Sequence, residues 1–374
     1  MIPIYRPYLP PQSLHYAHDA LDSTWLSSQG KYLTMAQEKL QELLGAKYIL
    51  PLNNGTSACH LVAKCLEKKI SFNPNDKIPI IVPDNVYAAA WNAFLFDKNY
   101  QLIPVKTDLD TWNINLNDLD QKIVAYPIAP VLIVHNVGNI INVPELKKKY
   151  PYTLFVEDNC EGFLGTYDGQ QSGTAAYVSA ISFFGNKNIT SGEGGALVTN
   201  SEDAYLYAKC LHSQGQSSKR FIHSDLGYNY RMTNIQAAIL CGQLELFPEI
   251  MEKKNHIFNI YRHAFDARSD VMIQHMHYNT THSNWMFGIR IPGTINYGHA
   301  EMYFKGCGIE IRPMFYSIKQ HQHLQNNPDI LDCDDTNANL LNRECIILPS
   351  FPELNESEVH YIIQAVNNYI GDIV

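Results

Sequence analysis

Between residues 50 and 200 the chain alternates short apolar runs with helix-like stretches. The runs are "IPIIV" (78–82), "YQLIPV" (100–105), "PVLIVH" (130–135), "TLFVED" (153–158), "YVSAISFF" (177–184) and "GALVTN" (195–200). They are rich in β-branched residues and continuous rather than alternating. That pattern suits strands buried on both faces of a mostly parallel sheet. Parallel neighbours need crossovers, and "PELKKKY" (144–150) and "SEDAYLYAKCL" (201–211) read as such helices, the second opened by Ser201 as N-cap. The expected architecture is α/β, with helices on both faces of the sheet.

Beyond residue 200 the pattern changes. "MTNIQAAILCGQLELFPEI" (232–250) has apolar residues near a 3.6 period, and "MEKKNHIFNIYRHAFDAR" (251–268) looks similar. Segments such as "WMFGIRIP" (285–292) then suggest a smaller α+β domain, closed by an amphipathic helix in "SEVHYIIQAVNNYI" (357–370). The division expected is a large domain over 1–250 and a small one over 251–374. A net charge of −9 argues against a general nucleic-acid binder, though not against a local phosphate site. No apolar run approaches the roughly 20 residues that span a bilayer. The start, "MIPIYRPYLPP", lacks the layout of a secretory signal, so a cytoplasmic protein is expected. The eight cysteines contain no C-x-x-C pair and read as reduced, mostly buried thiols, with no metal framework.

Polar residues collect just after several runs: Asp84 and Asn85, Asp108, Asn136, and Glu157 with Asp158. Open α/β sheets bind ligands beyond the carboxyl ends of their strands, so these are site candidates, though each alone also reads as a turn or cap residue. In "SFFGNKNITSGEGG" (182–195) Lys187 follows an apolar run and precedes a Gly-rich turn. At pH 7 only about 0.04% of a free lysine is a neutral nucleophile; partial burial raises that fraction. A solvated loop lysine and a Schiff-base lysine both remain open on this stretch alone. Asp158 precedes Lys187 by 187 − 158 = 29 residues, about one βαβ unit, so both could stand on neighbouring strand ends. Pyridoxal phosphate (PLP) needs such a pair: a carboxylate for its ring nitrogen and a lysine for its aldehyde. "NNGTSACHLVAKCLEKK" (53–69) offers a phosphate cradle, with Gly55, Thr56 and Ser57 leading into a helix. A simple capped helix explains that stretch equally well. "VPDNVYAAAWNAF" (82–94) supplies Tyr87 and Trp91, on one face if helical. Either could cover a ring, and core packing is the ordinary role for Trp91.

Together these motifs resemble the DegT/DnrJ-type sugar aminotransferases, PLP enzymes of fold type I, the aspartate-aminotransferase fold. The resemblance runs from "STWLSSQGKYL" to "IEIRPMFY" (309–316), and is most specific in "NGTSA", "VEDNCEGFLGTYDGQQSGT", "SFFGNKNITSGEGGALVTN" and "GYNYRMTNIQAAI". It implies that Lys187 is the Schiff-base lysine and that Asp158 holds the pyridine nitrogen. Glu161 would lie near the phenolic oxygen, and Tyr87 would stack on the ring. Gly55, Thr56, Ser57 and Ser182 would bind the phosphate. Asn229 would reach the cofactor of a partner subunit, which makes a homodimer with shared sites obligatory. Arg231 would meet a carboxylate or phosphate. Arg312 and Arg220 are candidates for a nucleotide diphosphate, with surface ion pairing as their ordinary alternative. One departure is Asn159 and Cys160, where two alanines are common in the family.

By the same resemblance the reaction moves an amine from L-glutamate to a sugar ketone, with Lys187 shuttling the proton. "GNKNITSGEGG" is most similar to relatives that aminate C4 of 4-keto-6-deoxy sugars, and "IRPMFY" resembles the perosamine synthases, which use a GDP-linked sugar. The alternative is a UDP- or dTDP-linked C4 transferase making viosamine or a similar sugar. A PLP-binding regulator without catalysis is a third reading, opposed by intact Lys187, Asp158 and Glu161. A nicotinamide-dependent oxidoreductase would need G-x-G-x-x-G after a first strand, and "SGEGG" (191–195) follows the wrong element.

Overall fold

A computed structural model describes residues 1–373 apart from 71, 72, 74, 75, 294 and 295. Seven strands form the central sheet: β1 (Tyr48–Leu52), β2 (Ile78–Pro83), β3 (Tyr100–Val105), β4 (Val131–Val134), β5 (Phe155–Asp158), β6 (Val178–Ser182) and β7 (Gly195–Thr199). Their order is β1-β7-β6-β5-β4-β2-β3. The pairs β2·β3, β2·β4, β4·β5 and β5·β6 are parallel, while β7 runs antiparallel to both β6 and β1. Only β7 is therefore reversed. The reason is local: residues 183–194 join β6 to β7 without a crossover helix, so the chain turns straight back.

Each apolar run of the sequence becomes one of these strands, buried along nearly its whole length. Helices cover both faces. Gly55–Lys69 lies on one, with Leu61, Val62 and Leu66 fully buried against the sheet. Burial of each such side chain contributes about 1.5–3 kcal/mol before entropy is counted. On the opposite face Lys31–Leu44 and Asn234–Glu245 pack against Ile49, Ile181 and Val198. The periodic stretch 232–250 does not form one helix. It stops at Glu245, Leu246 leaves helical geometry, and a second helix runs Phe247–Phe265 with Pro248 in its first turn. Proline lacks the N–H that a continuing helix needs but suits a helix start.

A second, four-stranded antiparallel sheet contains Met272–Ile273, Phe287–Arg290, Cys345–Leu348 and Arg312–Pro313, in that order. Its core includes Phe258, Phe304 and Tyr369, from the helices Phe247–Phe265, Tyr297–Gly306 and Glu356–Ile373. The N-terminus joins this unit: Ile2 pairs with Ile309, and Tyr5 packs on its core. Among the described residues no helix is long and apolar enough to cross a membrane. All eight cysteines are free thiols.

Candidate active site

The carboxyl ends of the parallel strands form one edge. Asp158 ends β5 and Ser182 ends β6, both buried. Because β7 is reversed, the loop 183–194 hangs over that same edge. Its neck is closed by Phe183 N–H to Gly194 O (2.8 Å) and Ser191 N–H to Phe183 O (3.0 Å). Gly192, at φ +82°, takes the left-handed turn that a side chain would strain. Lys187 sits at the head of the loop, its N–H donating to Phe184 O at 2.9 Å. Tyr5 Oη donates to the Lys187 carbonyl at 2.8 Å, and Lys187 Nζ stands 4.0 Å from the centre of the Trp285 ring. Trp285 Nε1 in turn donates to Asn186 O at 2.8 Å. The buried Lys254 Nζ donates to the Trp285 carbonyl at 2.7 Å, anchoring the backbone that carries the indole.

Asp158 Oδ1 accepts the Cys160 N–H at 3.0 Å. Glu161 is buried and its Oε2 accepts the Val137 N–H at 2.8 Å. Burial pushes the Glu161 carboxyl up to about 7; the Lys187 charge pulls it down and the Asp158 charge pushes it further up. Lys187, Asp158 and Glu161 thus share one electrostatic neighbourhood. Glu157, the other carboxylate at the end of β5, has a different task. It is fully buried, bonds His135 Nε2 at 2.9 Å, and accepts the N–H groups of Gly173 and Ala176. It ties the loop after β5 to β4 and faces no ligand space.

The helix Gly55–Lys69 begins beside β6. Asn54 Oδ1 caps it by accepting the Ser57 N–H at 2.8 Å. A Cβ on Gly55 would stand 2.7 Å from Ser182 Cβ and 2.9 Å from its Oγ. Glycine therefore lets the helix start and Ser182 meet. The N–H groups of Gly55 and Thr56 lie outside the intrahelical ladder, as the first turn of any helix dictates. Ser57 and Ser182 are buried, and Thr56 is exposed. Small hydroxyls and helix-terminal amides at one end, with a carboxylate at the other, match the two poles of PLP. The close approach that Gly55 permits is the feature that makes the cradle, so the residues fit that cofactor.

The remaining candidates stand further out. The helix expected to carry Tyr87 starts only at Ala89, so Tyr87 and Trp91 do not share a helical face. Asn85 Nδ2 donates to Phe315 O, holding the preceding chain extended toward the small sheet. Tyr87 is 63% exposed, its ring centre 6.2 Å from that of Phe315. Trp91 is core: fully buried, with Nε1 donating to Pro83 O. Asn229 is exposed on a strap beside the end of β1, where Asn53 N–H donates to Tyr230 O at 2.9 Å. Arg231, bridged to Leu52, donates Nε to Ser28 Oγ (3.1 Å) and Nη1 to Ser213 Oγ (3.3 Å). Arg312 is half-buried in the small sheet opposite Ile347. Arg220 is exposed, its guanidinium 4.8 Å above the Phe221 ring. Neither arginine is joined to the Lys187 cluster by any bond described above. Sequence reasoning missed Trp285 and Tyr5, which reach Lys187 from distant parts of the chain.

Comparison with known proteins adds identity to this geometry. The model of the DegT/DnrJ/EryC1/StrS aminotransferase family matches residues 8–367. The GDP-perosamine synthase of Escherichia coli O157:H7 is 33% identical over 380 residues, covering 99% of both chains. A UDP-4-amino-4,6-dideoxy-N-acetyl-beta-L-altrosamine transaminase of Campylobacter jejuni (strain 81-176) is 32% identical over 245 residues, 63% of this chain and 62% of that one. Among solved structures, Helicobacter pylori PseC, an aminotransferase involved in the biosynthesis of pseudoaminic acid, superposes with a TM-score of 0.90 at 25% identity, covering 99% of each chain.

Proposed function

The chain belongs to the DegT/DnrJ/EryC1/StrS aminotransferase family and is a PLP-dependent sugar aminotransferase, and from that premise we propose that it aminates C4 of a nucleotide-linked 4-keto-6-deoxyhexose, with GDP-4-keto-6-deoxymannose as substrate, perosamine as product and L-glutamate as donor. The observation that carries the reading is the gathering of Lys187, Asp158 and Glu161 at one sheet edge in a chain similar to a GDP-perosamine synthase over its whole length. The similarity to the altrosamine transaminase keeps a UDP-linked sugar as the second reading, with the dTDP-linked ketone beside it. The two sheets, each with its own core, support a division near residue 250.

Bound in the cradle, PLP would supply an electron sink that lets an amino group leave glutamate and enter the sugar ketone. Lys187 is assigned as its covalent anchor and as the base that moves the proton at the reacting carbon. The Asp158 side chain would pair with the ring nitrogen, and Glu161 would face the phenolic oxygen. Gly55, Thr56, Ser57 and Ser182 would hold the phosphate by N–H and hydroxyl donors. Tyr87, packed by no core, is free to cover the ring. Arg231, Arg312 and Arg220 are the cations offered to substrate carboxylate or diphosphate. Asn229 is assigned to the cofactor of a partner subunit in a homodimer. The strap that carries it exposes Phe221 (76%) and Leu226 (91%), apolar surface that a second subunit would cover.

The test is an activity panel read by mass spectrometry. The protein receives PLP, L-glutamate and, separately, GDP-4-keto-6-deoxymannose, UDP-4-keto-6-deoxyglucose or dTDP-4-keto-6-deoxyglucose. An amino sugar from the GDP arm is expected. Product only from another arm names that nucleotide instead. Release of 2-oxoglutarate without any sugar product keeps the aminotransferase and overturns the substrate. No 2-oxoglutarate at all favours the regulator.

A further inference from the structure

Two of the eight cysteines have no task in the reaction above, yet both touch its central carboxylate. Cys59 lies on the inner face of the helix Gly55–Lys69, one turn after Gly55, and is buried. Cys160 follows Asp158 by two residues, and its own N–H bond to Asp158 Oδ1 folds it back over that carboxylate. The two sulfur atoms and an Asp158 carboxylate oxygen all lie within 4.8 Å of one another. Cys160 Sγ is also 3.3 Å from the place a Gly55 Cβ would take, so the helix start holds it in position. A tetrahedral zinc ion, with Zn–S of about 2.3 Å and Zn–O of about 2.0–2.2 Å, sets its donors about 3.5–3.8 Å apart. The three atoms, none more than 4.8 Å from another, need to close by about 1 Å at most to reach that spacing. Among the described residues no other group of three such donors comes together this closely.

We propose that Cys59, Asp158 and Cys160 form a site for a thiophilic divalent cation, zinc being the reference, and that the cation competes with the cofactor for Asp158. Two thiolates and one carboxylate select zinc or cadmium over magnesium or calcium. On binding, both thiols lose their protons to solvent and their sulfurs each donate a pair to the metal; no electron is transferred. A fourth position remains for water, as in open three-ligand zinc sites. Cys160 as a residue is only half-buried. The competition rests on the assignment of Asp158 to the cofactor; the metal site does not. The consequence is a form of the enzyme, free of cofactor, that zinc holds inactive until it is chelated.

The test titrates cobalt(II) into the cofactor-free full chain under anaerobic conditions. One thiolate-to-cobalt charge-transfer band per chain is expected, abolished by stoichiometric zinc. Cys160→Ala and Cys59→Ala should each weaken binding at least about 10-fold, since each removes one of three ligands. Cys160→Ala, half-buried and replaced by a small residue, keeps the test alive should Cys59→Ala unfold. Saturation with PLP beforehand should raise the apparent cobalt Kd in proportion to PLP concentration. Absence of the band, a cobalt Kd unchanged in Cys160→Ala, or a Kd indifferent to PLP each overturns the proposal. A failed glutamate reaction with normal cobalt binding would instead count against the function proposed above.

Discussion

The Lys187 Nζ lies 4.0 Å from the centre of the Trp285 ring, although 98 residues separate them (285 − 187 = 98). The indole does two things at once. Its face meets the ammonium, and its Nε1 donates to the carbonyl of Asn186, the residue before Lys187. A cation over an aromatic face contributes about 0.5–2 kcal/mol, so Trp285→Leu should slow the glutamate reaction about 10-fold. Trp285→Phe keeps a ring face and loses the hydrogen bond. Single-turnover release of 2-oxoglutarate separates the two: a near-normal Phe variant assigns the effect to the ring, and an equal loss in both assigns it to the Asn186 bond. A Leu variant as fast as the wild type would remove Trp285 from the positioning of Lys187.

Lys187→Ala should lose turnover by at least about 10³-fold, because it removes the amine assigned as anchor and base. It should still bind pyridoxamine phosphate, since the phosphate cradle and Asp158 are untouched. Equilibrium dialysis and a turnover assay on the same protein check both halves. An active Lys187→Ala enzyme would overturn the mechanism.

Gly55→Ala places a methyl 2.7 Å from Ser182 Cβ, where both atoms belong to rigid elements. Relief by a backbone shift costs about 1–3 kcal/mol, and it opens the contact between helix start and β6 that forms the cradle. PLP affinity should fall about 10- to 100-fold, while thermal stability without cofactor falls modestly. Cofactor titration followed by protein fluorescence measures the first and calorimetry the second. Unchanged PLP affinity would mean that the close approach serves packing alone.

What was legible in the sequence was what local chemistry determines. Runs of buried β-branched residues gave six of the seven strands, and Ser201, at the head of its helix, caps it by accepting the Ala204 N–H. The seventh, Tyr48–Leu52, was missed because "YILPL" is short and carries Pro51. That proline is tolerated because β1 lies at the edge of the sheet. Asp158 and Lys187 were paired by a spacing read as one βαβ unit, but the 159–177 segment holds two short strands, Thr166–Tyr167 and Gln170–Gln171, and no helix. Lys187 stands in the loop after the next strand rather than at its end. Glu161 was picked out only by the family resemblance. Trp285, Tyr5 and Lys254 were not legible, since no local period records which distant loop will close over a residue. Tyr87 and Trp91 were read by helical spacing, and the tertiary pull of Phe315 on Asn85 delayed the helix past Tyr87.

Glu161 gives the sheet edge a pH dependence of fixed sign. Its carboxyl titrates near 4.5 when unfolded and at about 7 in the fold, where burial disfavours the anion. The native state therefore holds the proton more tightly between those values. Its contribution to stability is complete below about pH 4.5, declines through the window and is lost above about pH 7, an effect of at most about 3 kcal/mol. Other carboxylates act in the opposite direction, so the comparison must be internal. Glu161→Gln keeps an oxygen for the Val137 N–H and cannot ionise. Urea midpoints of cofactor-free protein at about pH 5 and about pH 8 should show the wild type losing more stability than Glu161→Gln across the interval. Parallel changes in the two proteins would mean that Glu161 is already ionised at the lower pH, and that the nearby Lys187 ammonium outweighs its burial.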